Sequence, residues 1–343
     1  MTAAAEPGPL VARGAVDAAH RAALTGGAVV IARSGLALFR LAGGGRIACL
    51  QGLVTCDVQQ PGDGTRFLGA LLTAKGMIVS PLWITRLADA VLVEAPALGA
   101  AAIATVFERS LPPRLCRWEE VTAASALVGL YGPAARGLLA AVTDGEPPAA
   151  DGRVASLRYA GAPMTAARLV AGGLDGFECV LPAAAAAGFV DRLAGRGALA
   201  VPPALLEERR ILAGVPRLGA EIDDKTLPQE VRLDELNGVS YTKGCYLGQE
   251  TVARVHFRGH ANRRLAGLAL EGEPPPLPAD VVHAGQPVGR LSSACWWEAR
   301  QTWAGLAVLR RTVTAGTTVA LAGGAAATVR ELPWEPAAPE AAP

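Results

Sequence analysis

The sequence predicts an α+β fold: two related α+β lobes followed by a small C-terminal β-barrel. Two stretches run through a similar order of strand, glycine-opened helix and further strands, and their helix-opening glycines, Gly44 and Gly132, stand 88 residues apart. Within both, the apolar runs are short and divided by turn residues, as in antiparallel sheets. From residue 261 onward the chain reads LAGLAL, QPVGRLSSA, WAGLAVL, TTVALAG and ATVREL, short strands and turns that fit a barrel or sandwich.

In order along the chain, residues 1–25 are rich in Ala, Gly and Pro and are read as a disordered leader. The first lobe spans 26–125. Strand-like VVIA and LALFRLAG lead to a helix whose apolar face is Ile47, Leu50, Val54 and Val58, ended by Pro61-Gly62. Strands FLGALL, MIVSPLWI and AVLVEA follow, then a helix marked by Leu98, Ala102 and Val106 that stops before Pro112-Pro113. The second lobe spans 126–260. ALVGLY is its first strand, Gly132-Pro133 opens a helix carried by Leu138, Leu139 and Val142, and three strands precede a helix from Pro182 to Gly195. The barrel is placed at 261–333 and a disordered tail at 334–343.

Composition narrows the classes. Of 343 residues, 51% are hydrophobic but only 5% aromatic, 18% are charged, and 32 Lys and Arg against 31 Asp and Glu leave a net charge of +1. That argues against an acidic disordered chain and against a wholly basic nucleic-acid coat. The longest charge-free run, Thr312–Val329, carries five threonines and three glycines and does not read as a membrane span. No basic-then-apolar secretory leader is visible. Six scattered cysteines without a CxxC pair read as free thiols of a reducing compartment. The expectation is a cytoplasmic monomer with no membrane partner.

The stretch YTKGCYLGQETVARVHFRGHANRR, residues 241–264, is the most informative. Gly244 and Gly248 flank Cys245 in a tight loop. Lys243 stands two residues away, where a cation favours the thiolate. Cys245 is thus either a reactive thiol or part of a buried structural turn. Arg254, His256, Arg258, His260, Arg263 and Arg264 follow with no carboxylate between Glu250 and Glu271. They form either an anion-binding patch or a solvated strand face. His256 and His260 suit a metal pair only on a helix. Val252, Phe257 and Gly259 favour a strand, and no further ligand completes a site, so no metal is expected.

Residues 243–250, KGCYLGQE, resemble the KGCYxGQE signature of the YgfZ-type folate-binding family at all seven fixed positions. That family is related to the T-protein (aminomethyltransferase) of glycine cleavage and has a mitochondrial branch serving iron–sulfur cluster assembly. The resemblance runs over about residues 30–335: RILAGVP (210–216), LPQE (227–230), VARVHFRG (252–259) and LDGFECVLP (174–182) match family segments, and the last strands resemble the T-protein barrel.

The resemblance implies two lobes around a central folate cavity, with tetrahydrofolate or a one-carbon derivative as ligand. It places Glu178 at the pterin, whose adjacent ring N–H and amino group one carboxylate can accept. It places Arg210 near the glutamate tail, with Arg254 and Arg258 extending a cationic cradle and Lys243 and Cys245 beside the pocket. Iron–sulfur client or assembly proteins are the implied partners, tRNA modification is affected through them, and direct tRNA binding stays open. Two departures stand out. Leu212 replaces the glutamate of the family's R-x-E-A-G helix end, and Phe67–Ala88 holds no Asp or Glu where a T-protein carries its catalytic carboxylate. The expectation is a folate-binding accessory protein of iron–sulfur cluster assembly or repair that does not cleave glycine. The alternative is a one-carbon transferase with a non-glycine substrate, using Lys243 or Cys245.

Overall fold

The computed structural model describes residues 10–334. β1 (Leu10–Val11) and α1 (Ala18–Gly26) lead into β2 (Val29–Arg33), β3 (Leu36–Ala42), α2 (Arg46–Gln51), β4 (Thr65–Leu72), β5 (Ile78–Arg86), β6 (Ala90–Pro96), α3 (Ala100–Ser110) and β7 (Arg117–Glu120). Next come β8 (Ser125–Tyr131), α4 (Ala135–Val142), β9 (Val154–Tyr159), β10 (Ala162–Ala171), β11 (Leu174–Pro182), α5 (Ala183–Ala194), β12 (Leu199–Ala200) and α6 (Ala204–Ala213). A long connection reaches α7 (Gln249–Arg258), and β13 (Arg263–Leu270), β14 (Ala279–His283), β15 (Gln286–Trp297), β16 (Thr302–Arg310), β17 (Thr318–Leu321) and β18 (Ala326–Arg330) complete the chain.

The first sheet has the order β4-β5-β6-β3-β7 and packs on α3 through Phe39, Ile103 and Phe107. The second has the order β12-β2-β8-β11-β10-β9 and packs on α4 and α5 through Leu130, Leu139 and Phe189. The last six strands run β15-β14-β17-β18-β13-β16, and β16 pairs back with β15, so the barrel is closed and leaves no free edge among these strands. α6 joins the parts: Leu205, Ile211 and Leu212 share one core with Ile31 and Tyr131 of the second sheet and Leu306 of the barrel.

The α+β architecture and the closed barrel agree with the sequence reading. Five local expectations do not. β2, expected in the first lobe, is a strand of the second sheet between β12 and β8. Its Val30 faces the second-lobe core while Val29 and Ile31 face the α6 core, so it is buried on both sides. Such a strand carries no alternation to say which sheet owns it. The leader is ordered from Leu10: β1 pairs in parallel with β15, and α1 starts with a capping box in which Asp17 accepts from the His20 backbone N–H. Residues 1–9 and 335–343 lie outside the described residues, but Trp334, assigned to the tail, donates its backbone N–H to Leu212 O at 2.9 Å. The helix beginning at Arg46 stops at Gln51, and Val54 and Val58 enter the core from the following loop.

Nor do residues 252–259 form the strand read from the sequence. Residues 249–258 form helix α7. Gly248 caps it in the left-handed region (φ 83°), Glu250 lies in the first turn, and His256 and Arg258 lie in the last, as the helix dipole favours. Only Val252 of this helix is buried and Phe257 is exposed, so the residues that suggested a strand do not form a strand's inward face.

Candidate functional site

A cavity of about 290 Å³ opens where the two sheets meet α6. Arg33, Ser34 and Leu36 line it from the β2–β3 crossing, Trp83 from β5, Leu169, Leu174 and Glu178 from β10 and β11, and Leu206, Arg209, Arg210 and Ala213 from α6. The β10–β11 turn at its mouth is Gly172-Gly173, with φ of 61° and 74° between the paired Ala171 and Leu174. Two left-handed residues in a two-residue hairpin loop call for glycine. A Cβ at Gly173 would also sit 2.9 Å from the Arg209 guanidinium.

Glu178 is the buried acidic wall of this cavity. Its Oε1 accepts from the Tyr131 hydroxyl at 2.6 Å, and its Oε2 accepts from Arg33 Nη1 and from Arg66 Nη2 at 3.1 Å. Gly129 makes the first of these possible. It lies beside Glu178 in the β8–β11 ladder, and a Cβ there would fall 2.4 Å from the Tyr131 ring, which folds back over the bare backbone to reach the carboxylate. A carboxylate has about four acceptor sites. Three are taken, which leaves Oε1 one site for an incoming donor.

The sequence reading missed the second carboxylate of this cluster. Glu94 on β6 is buried; its Oε2 accepts from Arg66 Nη2 at 2.9 Å, and its Oε1 lies 3.0 Å from Arg33 Nη1 without a hydrogen-bond partner among the described residues. Two arginines and two glutamates thus balance in charge. Arg66 also lies over the Trp83 ring at 5.0 Å. Burial pushes the Glu178 carboxyl upward, but Arg33, Arg66 and the Tyr131 hydroxyl outweigh it and hold it below the ordinary carboxylate value of 4.5. Burial opposes the Arg33 charge, and Glu178 and Glu94 overcome that and raise its pKa. The signature of a lowered carboxyl is stability present above pH 4.5 and lost as pH falls through the folded value. Chemical denaturation from pH 6 downward (roughly one step per pH unit) is expected to show the wild type losing stability below about 4.5, with a shallower loss in Glu178→Gln.

Arg210 also lines the cavity, but its guanidinium is fully used. Nε and Nη2 donate to Glu207, Nη1 donates to Val215 O and Glu221, and Nη2 donates again to Ser293. All five donors are committed, so Arg210 ties α6 to β15 and has none for a ligand tail. Arg209 and Arg217 line the same cavity and are the cations nearest that role. The segment EERRILAGVPR carried both, one residue before and seven after the residue singled out. Arg254 and Arg258 stand on the exposed face of α7 and do not line the cavity, and Arg263 and Arg264 are paired with Glu230 and Glu331.

The KGCYLGQE loop lies elsewhere: neither Lys243 nor Cys245 lines the cavity, contrary to the expected juxtaposition with Glu178. The Lys243 ammonium donates to the carbonyls of Gln51, Val54 and Cys56 at 2.7–2.8 Å, just past the end of α2. Its three donors are spent there, so it acts as a clamp and not as an activator of Cys245. Tyr246 is buried with Ala70, Leu72 and Val252, its ring 5.1 Å from Lys243 Nζ. Gly248 meets Gly76 of the β4–β5 turn: a Cβ at 248 would lie 2.5 Å from Thr73 O and 3.1 Å from Gly76 Cα. Lys243, Tyr246 and Gly248 therefore pin the loop, and Cys245 and Leu247 face solvent. No group of three or more His, Cys, Asp or Glu among the described residues is placed to hold a metal, and no helix among them is long and apolar enough to cross a membrane.

Two lobes enclosing a carboxylate-walled cavity, with a closed barrel behind them, define the aminomethyltransferase fold. The structure superposes on the glycine cleavage system aminomethyltransferase T of Bartonella henselae with a TM-score of 0.80, covering 90% of this chain and 87% of that one at 22% identity. Residues 12–239 match the GCVT N-terminal domain family. The tRNA-modifying protein YgfZ of Cronobacter sakazakii is 30% identical over 242 residues, 68% of each chain. The mitochondrial iron-sulfur cluster assembly factor IBA57 of Mus musculus is 46% identical over 87 residues, 24% of each chain. The chain belongs to the GcvT/YgfZ folate-binding family.

Proposed function

We propose that this protein binds a reduced folate in the Glu178 cavity and serves as an accessory factor in iron–sulfur cluster assembly or repair, through which it affects tRNA modification. The observation that carries the reading is the buried Glu178 carboxylate with one acceptor site left, set in a cavity that Trp83, aliphatic side chains and the cations Arg33, Arg209, Arg210 and Arg217 also line. A pterin is a flat heterocycle with adjacent N–H donors, and these residues fit it. At 290 Å³ the cavity lies near the lower end of the ~300–1,000 Å³ usual for small-molecule sites. It suits the pterin head, with the rest of the molecule running out past Arg209 and Arg217. Both N–H donors engage Glu178 once Arg33 or Tyr131 yields an acceptor position. A reduced folate, when bound, supplies a one-carbon carrier; the protein's residues orient it and exclude water from its head.

The names of the relatives support the accessory role, and the exposed, rigidly held Cys245 is its working thiol. In a strain lacking its family member, the wild-type chain is expected to restore tRNA modification and cluster-enzyme activity. Cys245→Ala is expected to fail while keeping wild-type tetrahydrofolate affinity. Full restoration by Cys245→Ala overturns the thiol's role. One observation favours the transferase alternative: Glu94 supplies a buried carboxylate beside Glu178 although Phe67–Ala88 has none. Turnover of a methylene- or formyl-folate by the purified protein decides for it.

A further inference from the structure

A second cavity, of about 480 Å³, opens at one end of the barrel, and neither the family's folate chemistry nor the thiol loop uses it. Its walls are Trp297 at the end of β15, Arg300 in the turn that follows, Thr302 at the start of β16, Arg330 and Glu331 at the end of β18, and Trp334. The two indoles meet edge to face, with ring centroids 5.7 Å apart. Trp334 is seated because β13 has glycine at 267: a Cβ there would lie 2.8 Å from Trp334 Cζ2. Arg300 is held over the Trp297 ring at 5.6 Å. Glu331 pairs with Arg264 through both carboxylate oxygens, at 3.0 and 3.2 Å, which offsets its charge. Arg330 is exposed and has no ion-pair partner among the described residues. What remains facing the cavity is an aromatic wall with two guanidinium groups.

We propose that this barrel-end cavity is a nucleotide site: a base packs on the indoles of Trp297 and Trp334, and its phosphate lies between Arg300 and Arg330. Indole faces hold a base whatever its sequence, and a planar guanidinium pairs two donors with phosphate oxygens. The same chemistry comes from a free mononucleotide or from the end of a single RNA strand. An apolar ligand makes no use of the two arginines, and a bare anion makes no use of the indoles.

The test is a fluorescence titration of the full chain with AMP, adenosine, inorganic phosphate and single-stranded hexa-adenylate. The expected result is saturable tryptophan quenching by AMP, with adenosine and phosphate each binding roughly tenfold or more weakly. Arg300→Gln and Arg330→Gln lie on the exposed rim and leave the fold intact; together they are expected to weaken AMP by about ten- to a hundredfold. Gly267→Ala, which unseats Trp334, weakens it as well. Hexa-adenylate that binds far tighter than AMP assigns the site to a strand end, and equal affinities assign it to the free nucleotide. The proposal is overturned if neither AMP nor hexa-adenylate gives saturable quenching, if phosphate binds as well as AMP, or if the double arginine variant binds both probes like wild type.

Discussion

Glu178→Ala is expected to remove tetrahydrofolate binding from calorimetric titrations in which the wild type binds. The expectation follows from what the carboxylate does at the cavity wall: it supplies acceptor oxygens that face a pterin's N–H groups, and among the described residues one other carboxylate lines that space. Glu207, which does line it, already accepts two hydrogen bonds from Arg210 and lies 3.4 Å from Arg217. The same variant leaves Arg33 and Arg66 buried with Glu94 as their remaining counter-charge. Removing one partner of a buried ion cluster costs about 3–5 kcal/mol, so lost binding in Glu178→Ala must be separated from lost fold. Two milder variants do that. Glu178→Gln keeps the shape but turns one acceptor into a donor, and it is expected to weaken tetrahydrofolate by roughly tenfold or more with a smaller loss of stability. Tyr131→Phe is expected to cost about 1 kcal/mol of stability while retaining or improving affinity, since it frees Oε1. A carboxylate that only supports the fold predicts falling stability in all three variants and unchanged affinity in every one that folds. Wild-type affinity in Glu178→Gln moves the pterin site away from residue 178.

The architecture was legible in the sequence because it rests on short-range periodicity. Alternating apolar residues in FECVL and the closing Gly-Gly turn specify β10 and β11 with little help from the rest of the chain. Glu178 was legible through the resemblance of LDGFECVLP to a segment of the family. What surrounds it was not. Arg33 lies 145 residues away in the chain and Arg66 112, and each reads locally as an ordinary polar residue in an apolar strand. The same limit hid the saturation of Arg210, whose partners lie on α6, in the loop after it and on β15. α7 was misread for a different reason. Val252, Phe257 and Gly259 favour strand, and the deciding signal is a glycine cap at Gly248 with room for no side chain, which becomes visible only when the β4–β5 turn is packed against it. Cationic residues counted along the sequence are therefore a poor guide to cationic residues that converge in space.

The signature loop makes the same point with the opposite sign. Lys243 and Cys245 stand two residues apart and invite a single chemical role, yet their environments separate them. Lys243→Met is expected to lower unfolding stability by about 3 kcal/mol or more, because the carbonyls of Gln51, Val54 and Cys56 lose their common donor and a buried unsatisfied acceptor costs about 1–3 kcal/mol. Cys245→Ala, on an exposed side chain, is expected to stay within about ±0.5 kcal/mol. Lys243→Arg does not rescue, since a planar fork cannot reach three carbonyls gathered around one ammonium. Burial pulls the Lys243 pKa from 10.5 to about 8, with Cys56 and Asp57 acting weakly in the other direction. Between those values the unfolded chain holds the proton that the folded chain has released, so wild-type stability rises with pH from about 8 toward 10.5 and falls back as pH drops through 8. Lys243→Met lacks this slope. Urea unfolding of wild type, Lys243→Met and Cys245→Ala at pH values on either side of 8 reads both effects at once. A Lys243→Met protein as stable as wild type, with the same pH profile, removes the clamp and returns the lysine to the thiol as its chemical partner.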